Sequence, residues 1–290
     1  MWYSRIFAKA CTSQRHISKA SVRDRLVHQI IYSAISPIFD RKFIFHSFSS
    51  RLGKGTHLAI TQLHRMVRKV SANGTRHCYA LKMDVKRFFD SVDHKILKSL
   101  IRKNIKDSKV LNIIDVIIDS FNAGAEGKGI PLGNVTSQLF ANIYLHELDD
   151  FIKQELRERF YLRYCDDFII LSSDQHHLRC LIDKISIFLA DHLQLELHPK
   201  KVILRKLRKG IDFVGYVFFS HYRLVRTKTK QRIKKRLKKT LKQILMGNME
   251  PCAMDRQLQS YLGVLSHANQ YMLSQTLKNS YWVRTDASSM

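Results

Sequence analysis

Two acidic residues stand side by side in Tyr164-Cys165-Asp166-Asp167, between the apolar runs YLRY and FIILS, and a third, Asp84, closes the apolar run in RHCYALKMDV. Adjacent carboxylates at a hairpin turn repel one another, by roughly 4 kcal/mol at about 4 Å and an effective dielectric near 20. A divalent cation removes that penalty, and oxygen ligands on a rigid turn suit magnesium. If the two strands lie side by side, Asp84, Asp166 and Asp167 make a clamp for two Mg2+ ions, with Mn2+ as an alternative. Such a pair lowers the pKa of an attacking hydroxyl and stabilises in-line displacement at a nucleotide α-phosphate. An aromatic-x-Asp-Asp string alone also reads as a solvated turn. Asp84, at the end of its own buried strand, favours the metal reading. A calcium loop in DVKRFFDSVDH fails, because the alternating acidic ligands and the central glycine are missing.

Positioning such a trio requires a sheet. Cys78, Ala80 and Met83, with Tyr79 and Leu81, read as a buried strand that delivers Asp84 at its C-terminal end. RFYLRYCDDFIILSS reads as two strands around a tight turn. Between them, DHKILKSLIRKNI (capped by Asp93) and KVLNIIDVIIDSF carry helical periodicity. The Gly-rich loop AGAEGKGIPLGN leads to a helix over NVTSQLFANIYLHELDDFI, capped by Asn134. A helix with Leu181, Ile185, Phe188 and Leu189 on one face comes next, then short strands in KKVILRKL, DFVGYVFF and YRLVR. This strand–helix–hairpin–helix–strand order is a split βαβ layout, with helices on one face of an antiparallel sheet.

Upstream, the spacing predicts a helical start. Ser21 caps a helix with Leu26, Ile30 and Ala34 on its apolar face and Pro37 at its end. The basic loop FIFHSFSSRLGKGTH feeds a second helix, THLAITQLHRMVRKV, stopped by Asn73-Gly74. Downstream, KTKQRIKKRLKKTLKQILM predicts a helix striped by Ile233, Leu237, Leu241 and Ile244. Gly247 and Pro251 break it, a final helix runs from about Met254 to Lys278, and RTDASSM reads as frayed.

Charge narrows the partners. Fifty Lys and Arg against 24 Asp and Glu leave a net charge of +26, an excess that favours binding a polyanion. No apolar run approaches the roughly 18 residues of a membrane span, so nucleic acid is favoured over a membrane. Cys11, Cys78, Cys165, Cys180 and Cys252 are scattered, which argues against structural zinc and fits a reducing, cytoplasmic location. Adjacent His176 and His177 read as solvated, and the N-terminus does not read as a secretory signal.

In their order along the chain these segments resemble the reverse transcriptases of prokaryotic retroelements, alongside group II intron and retron enzymes. RDRLVHQIIYSAISPIFD resembles the first finger block, SFSSRLGKGTHLAI the basic finger loop, ALKMDVKRFFDSVDH the first acidic block and YCDD the second. LQLELHPKK, DFVGYVF and SYLGVLSHANQY resemble the following block, the hairpin before the thumb, and the thumb. The resemblance implies an α+β right-hand polymerase with fingers at 1–74, a ferredoxin-like palm at 75–220 (with a finger-like insertion near 93–130) and a helical thumb at 221–290. It implies synthesis of DNA from dNTPs on a template RNA. Family members carry more finger sequence than the about twenty residues before RDR here, so a shortened or compact start is expected. No endonuclease, protease, RNase H or maturase-type segment is expected after the thumb.

The segment IPLGNVTSQLFANIYL discriminates within the family. Group II intron enzymes typically show Pro-Gln-Gly and Ser-Pro, where this chain has Pro131-Leu132-Gly133 and Ser137-Gln138. That pattern resembles diversity-generating retroelements, whose enzymes are associated with infidelity at adenine and with a small basic accessory protein. A Gln at 132 could hydrogen-bond the incoming nucleotide, whereas Leu132 can only pack against it. Retron-like, group II intron-like and defence-associated enzymes are alternatives, as is a non-catalytic RNA-binding module.

The resemblance assigns further roles. Asp84, Asp166 and Asp167 match the metal ligands. Phe89 falls where a bulky residue excludes a ribose 2′-hydroxyl. Arg51 and Lys54 match the loop over the triphosphate, and Lys201, with Lys200 as an equal alternative, matches a lysine that protonates leaving pyrophosphate. Gly133, Ser137 and Gln138 would line the nucleotide and template side. Lys228, Lys230, Lys234, Lys235, Lys238 and Lys239, on the helix at 228–242, would track the backbone of an RNA–DNA hybrid.

Overall fold

The computed structural model describes residues 3–10, 13–123 and 126–281, with residues 3–19 described by backbone alone. Two antiparallel strands, β1 (Tyr3–Ala10) and β2 (Ser13–Ala20), open the chain as a hairpin where a helical start is expected. Helix α1 (Val22–Asp40) follows, and Ser21 caps it by accepting a hydrogen bond from the Asp24 amide at 3.1 Å. Its buried row is His28, Ile31, Ile35 and Phe39, whereas Leu26 and Ile30 are exposed, so the expected apolar face is corrected by one helical row. Both rows have helical spacing, and packing selects between them. Pro37 lies inside the helix on its exposed side, and the helix runs on to Asp40.

The chain packs as two units, Met1–Gln62 with Tyr79–Leu204, and Leu63–Cys78 with Arg205–Met290. Helix α2 (Thr56–Val70) contributes to both and ends at Ala72, Asn73 and Gly74, all at positive φ.

In the first unit, β3 (Tyr79–Asp84) leads through the short α3 (Phe88–Ser91) to α4 (His94–Arg102), α5 (Ser108–Asp119) and α6 (Val135–Asp150). Asp93 caps α4 through the amides of Lys95 and Ile96, and Asp107 caps α5 in the same way. Asn134 occupies the N-cap position of α6, but its side chain makes no capping bond, so its expected role is corrected. After a π turn at Phe151–Glu155 come β4 (Tyr161–Tyr164), β5 (Asp167–Ser172), α7 (Gln175–Leu193) and β6 (Ile203–Lys206). The sheet order β4-β5-β3-β6, with helices in both connections, is the split βαβ arrangement expected of a ferredoxin-like palm. Leu81, Met83, Phe168 and Ile170 meet Ile143, Tyr144, Leu148, Leu181 and Ile185 in one core beneath the sheet.

In the second unit, β7 (Ile211–Phe213), β8 (Tyr216–Phe218) and β9 (Arg223–Val225) form an antiparallel meander. Helix α8 (Thr227–Leu245) buries Ile233, Leu237 and Thr240. The expected final helix is two, α9 (Cys252–Ser266) and α10 (Tyr271–Tyr281), with the break at residues 267–270. There the Asn269 amide donates to the Arg223 carbonyl at 2.8 Å, which takes the chain off the helical path. The segment read as frayed lies outside the described residues. Among those described, no helix is long and apolar enough to cross a membrane.

Candidate active site

The antiparallel register of β3 on β5 sets Asp84 directly opposite Asp167. Apolar residues fix that register, because a slip by one position would turn Leu81, Met83, Phe168 and Ile170 to the wrong face. The turn between β4 and β5 is closed by Cys165 in the left-handed region, φ 55°, which presents Asp166 and Asp167 at the strand end. Asp84 is buried and Asp167 half-buried.

Two lysines serve this pair. Lys201 Nζ donates to both Asp84 oxygens, at 2.8 and 2.9 Å, and Lys82 Nζ lies 3.3 Å from Asp167 Oδ2. Lys201 arrives because residues 196–201 dock on the end of β3. The His198 amide donates to the Asp84 carbonyl at 2.8 Å, and the Lys201 amide turns back onto the His198 carbonyl at 2.9 Å. Lys200 is exposed, so the structure separates two lysines that the sequence leaves equal. Lys82 was not foreseen. Its signal is a lone lysine in an apolar strand, two residues before Asp84 and therefore on the same face.

Burial raises the Asp167 carboxyl from its ordinary 3.8 to about 6, and the Asp84 and Asp166 carboxylates add to the rise while Lys82 opposes it. Asp167 Oδ1 is buried and makes no hydrogen bond among the described residues. A buried, partnerless carboxylate oxygen beside a second carboxylate fits a cation ligand. Among the described residues, no three His, Cys, Asp or Glu side chains converge in a ready-made metal site. The convergence present is that of Asp84 with Asp167, and Asp166 borders it on the turn.

The basic loop behaves differently from its expected role. Arg51 is turned inward: Nε donates to Asp40 Oδ1 at 2.6 Å, and Nη1 to the carbonyls of Ile44 and Ser47 at 2.7 and 3.0 Å. With 6% of its side chain exposed, the guanidinium is committed to shaping the loop. Lys54 folds over the Phe45 ring, 3.4 Å from its centroid, and donates to the Phe45 carbonyl at 3.0 Å. Burial, then the Arg51 charge, lowers its pKa.

Phe89 is half-buried against the core, edge-on to Phe88 at 5.4 Å. Leu132 is half-buried and outside that core, Gly133 is exposed at φ 125°, and Gln138 is exposed one helical turn on. Ser137 is buried. In the second unit, Lys228, Lys234, Lys235, Lys238 and Lys239 are exposed along α8, and Lys230 is half-buried. None of the six forms an ion pair among the described residues.

A family model described as reverse transcriptase (RNA-dependent DNA polymerase) matches residues 7–218. The chain is 23% identical over 255 residues to Protein YkfC of Escherichia coli, which covers 74% of this chain and 64% of that protein. It is 23% identical over 278 residues to the group II intron-encoded protein LtrA of Lactococcus lactis, across 73% of this chain and 45% of the relative. It therefore spans less than two thirds of either protein. A telomerase structure from Candida albicans, solved with a fragment of telomeric RNA, aligns with a TM-score of 0.56 at 13% identity. That alignment covers 96% of this chain and 56% of the other, and the shared fold is the α+β right-hand polymerase fold.

Proposed function

Since this chain belongs to the reverse transcriptase family, we propose that it copies template RNA into DNA, joining dNTPs to a primer 3′-hydroxyl with release of pyrophosphate. One observation carries the reading. Asp84 and Asp167 face each other across two strands, and one buried oxygen of Asp167 has no hydrogen-bond partner among the described residues.

Asp84, Asp166 and Asp167 are the residues that would hold Mg2+, or Mn2+ in its place. When bound, the metal would acidify the attacking hydroxyl and offset charge at the α-phosphate. The chain's own groups do the rest. Lys201 pairs with Asp84 and orients its carboxylate, and its ammonium, on a side chain 45% exposed, can hand a proton to departing pyrophosphate. Phe89 supplies bulk against a ribose 2′-hydroxyl, and Leu132, Gly133 and Gln138 border the nucleotide. Arg51 serves by holding the loop that carries Lys54. The lysines of α8 bind the backbone of the RNA–DNA hybrid without reading its sequence. The free thiols Cys165, Cys180 and Cys252 support a reducing, cytoplasmic setting.

Within the family, Leu132 before Gly133 and Gln138 after Ser137 support a diversity-generating retroelement enzyme, error-prone at template adenine and working with a small basic accessory protein. The group II intron-encoded relative supports a second reading, an intron-type enzyme. Primer extension on an RNA template containing every base, with dNTPs and Mg2+, tests both levels. The wild-type chain should extend and Asp167→Asn should not, and misincorporation should concentrate opposite A. Equal accuracy at all four bases would leave the intron-type reading. Equal inactivity of both proteins, with RNA binding retained, would favour a binding module.

A further inference from the structure

We propose that Arg163 is the positioning residue that sets the catalytic turn against the basic loop, an inference that rests on the polymerase reading above. Arg163 sits on β4 with no exposed surface. A guanidinium has five N–H groups, and here each has an acceptor. Nε and Nη2 grip Asp149 at 2.8 and 2.6 Å, Nη2 also donates to Ser47 Oγ at 3.0 Å, and Nη1 donates to Asn142 Oδ1 at 3.2 Å and the Cys165 carbonyl at 3.1 Å.

One side chain thus joins α6, the loop and the turn. The Cys165 carbonyl belongs to the peptide that leads into Asp166, and Cys165 holds a left-handed backbone that a side chain seldom adopts. The same contact therefore pins the strained residue that aims both turn aspartates. The loop is bound twice more at this strand. The Arg163 amide donates to the His46 carbonyl at 3.0 Å, and the Phe48 amide donates to the Arg163 carbonyl at 3.1 Å. Ser49 then closes the circuit, its Oγ 2.7 Å from Cys165 Sγ. Stability alone does not call for this arrangement, since buried ion pairs are commonly replaced by apolar residues without loss. A fixed geometry does call for it, because a planar five-donor fork fixes direction as well as charge.

The test compares the full chain with Arg163→Lys, with the neutral double variant Arg163→Met/Asp149→Asn, and with Asp167→Asn. Arg163→Lys keeps the charge on Asp149 and loses the fork. The double variant removes the pair without leaving a buried charge. Both should fold and bind primer–template as wild type does. In both, kcat for single-nucleotide addition should fall about 100-fold, as for a small misplacement of reacting groups. The Mg2+ concentration for half-maximal rate should rise in parallel. Amide hydrogen exchange should quicken together at residues 44–50 and 161–168 and stay unchanged in α7. A folded variant with wild-type kcat, Mg2+ dependence and exchange would overturn the assignment. If wild type extends no primer, like Asp167→Asn, the polymerase reading fails, and coupled exchange at the two segments still decides whether Arg163 positions them.

Discussion

Replacing Asp167 by Asn should stabilise the metal-free protein while abolishing polymerisation. The Asp167 carboxyl is raised from 3.8 to about 6 by burial and by its acidic neighbours. Holding it ionised at pH 7.5 therefore disfavours the folded state by about 3 kcal/mol at most, at 1.36 kcal/mol per pH unit. Its side chain is 30% exposed, and solvent screening brings the figure to about 2 kcal/mol. An Asn amide mimics the protonated acid and can donate to Asp84. For a chain of this size, about 2 kcal/mol corresponds to a rise in Tm of roughly 3–4 °C. The pH dependence has a definite sign. Between 3.8 and about 6 the folded state binds more protons than the unfolded one, so wild-type stability falls as pH rises through that window. The gap between the two proteins should open from pH 4 to pH 6 and remain constant above it. Added Mg2+ should stabilise wild type by about 2.7 kcal/mol at a concentration 100 times its dissociation constant, and the variant by much less. Thermal unfolding from pH 4 to 8, with Mg2+ and with EDTA, measures all of this. An Asp167→Asn protein no more stable than wild type at pH 7.5 in EDTA, or one whose advantage persists undiminished at pH 4, would refute a destabilising Asp167 carboxylate.

Lys201→Met should lower kcat about 100-fold, whereas Lys200→Met should stay near wild type; equal effects would erase the distinction drawn from the Asp84 contact. Leu132→Gln should reduce misincorporation opposite template A and leave other positions unchanged, as read by sequencing of cDNA products. Phe89→Ala should raise rNTP incorporation relative to dNTP, measured as a ratio of kcat/KM, and an unchanged ratio would return Phe89 to a packing role. Replacing Lys234, Lys235, Lys238 and Lys239 together by Gln should flatten the plot of log affinity against log salt by up to about 3 for an RNA–DNA hybrid. An unchanged slope would remove α8 from the interface.

Local pattern carried much of the molecule. The period-two run before Asp84 and the paired apolar runs around Cys165-Asp166 specify strands that end in carboxylates, because alternation and turn chemistry are properties of a few consecutive residues. The basic, apolar-striped segment over α8 is a helix for the same reason. The N-terminal hairpin escaped, because residues 3–20 alternate too weakly to announce strands. The two-helix end escaped because the break at residues 267–270 is made by Asn269 bonding to a residue 46 positions away.

Side-chain assignment at the site belongs to tertiary structure. Sequence alone determined that three aspartates, a basic loop and a lysine-rich helix exist, since composition and short-range spacing suffice for that. Only the folded chain decided that Lys201 rather than Lys200 reaches Asp84, across 117 residues, and that Arg51 turns inward to Asp40. It alone decided which row of α1 is buried and that Arg163, on the strand read from YLRY, grips Asp149 and the turn. Each of those outcomes depends on register and packing between distant segments, and a contact between residues far apart leaves no periodic trace in either one.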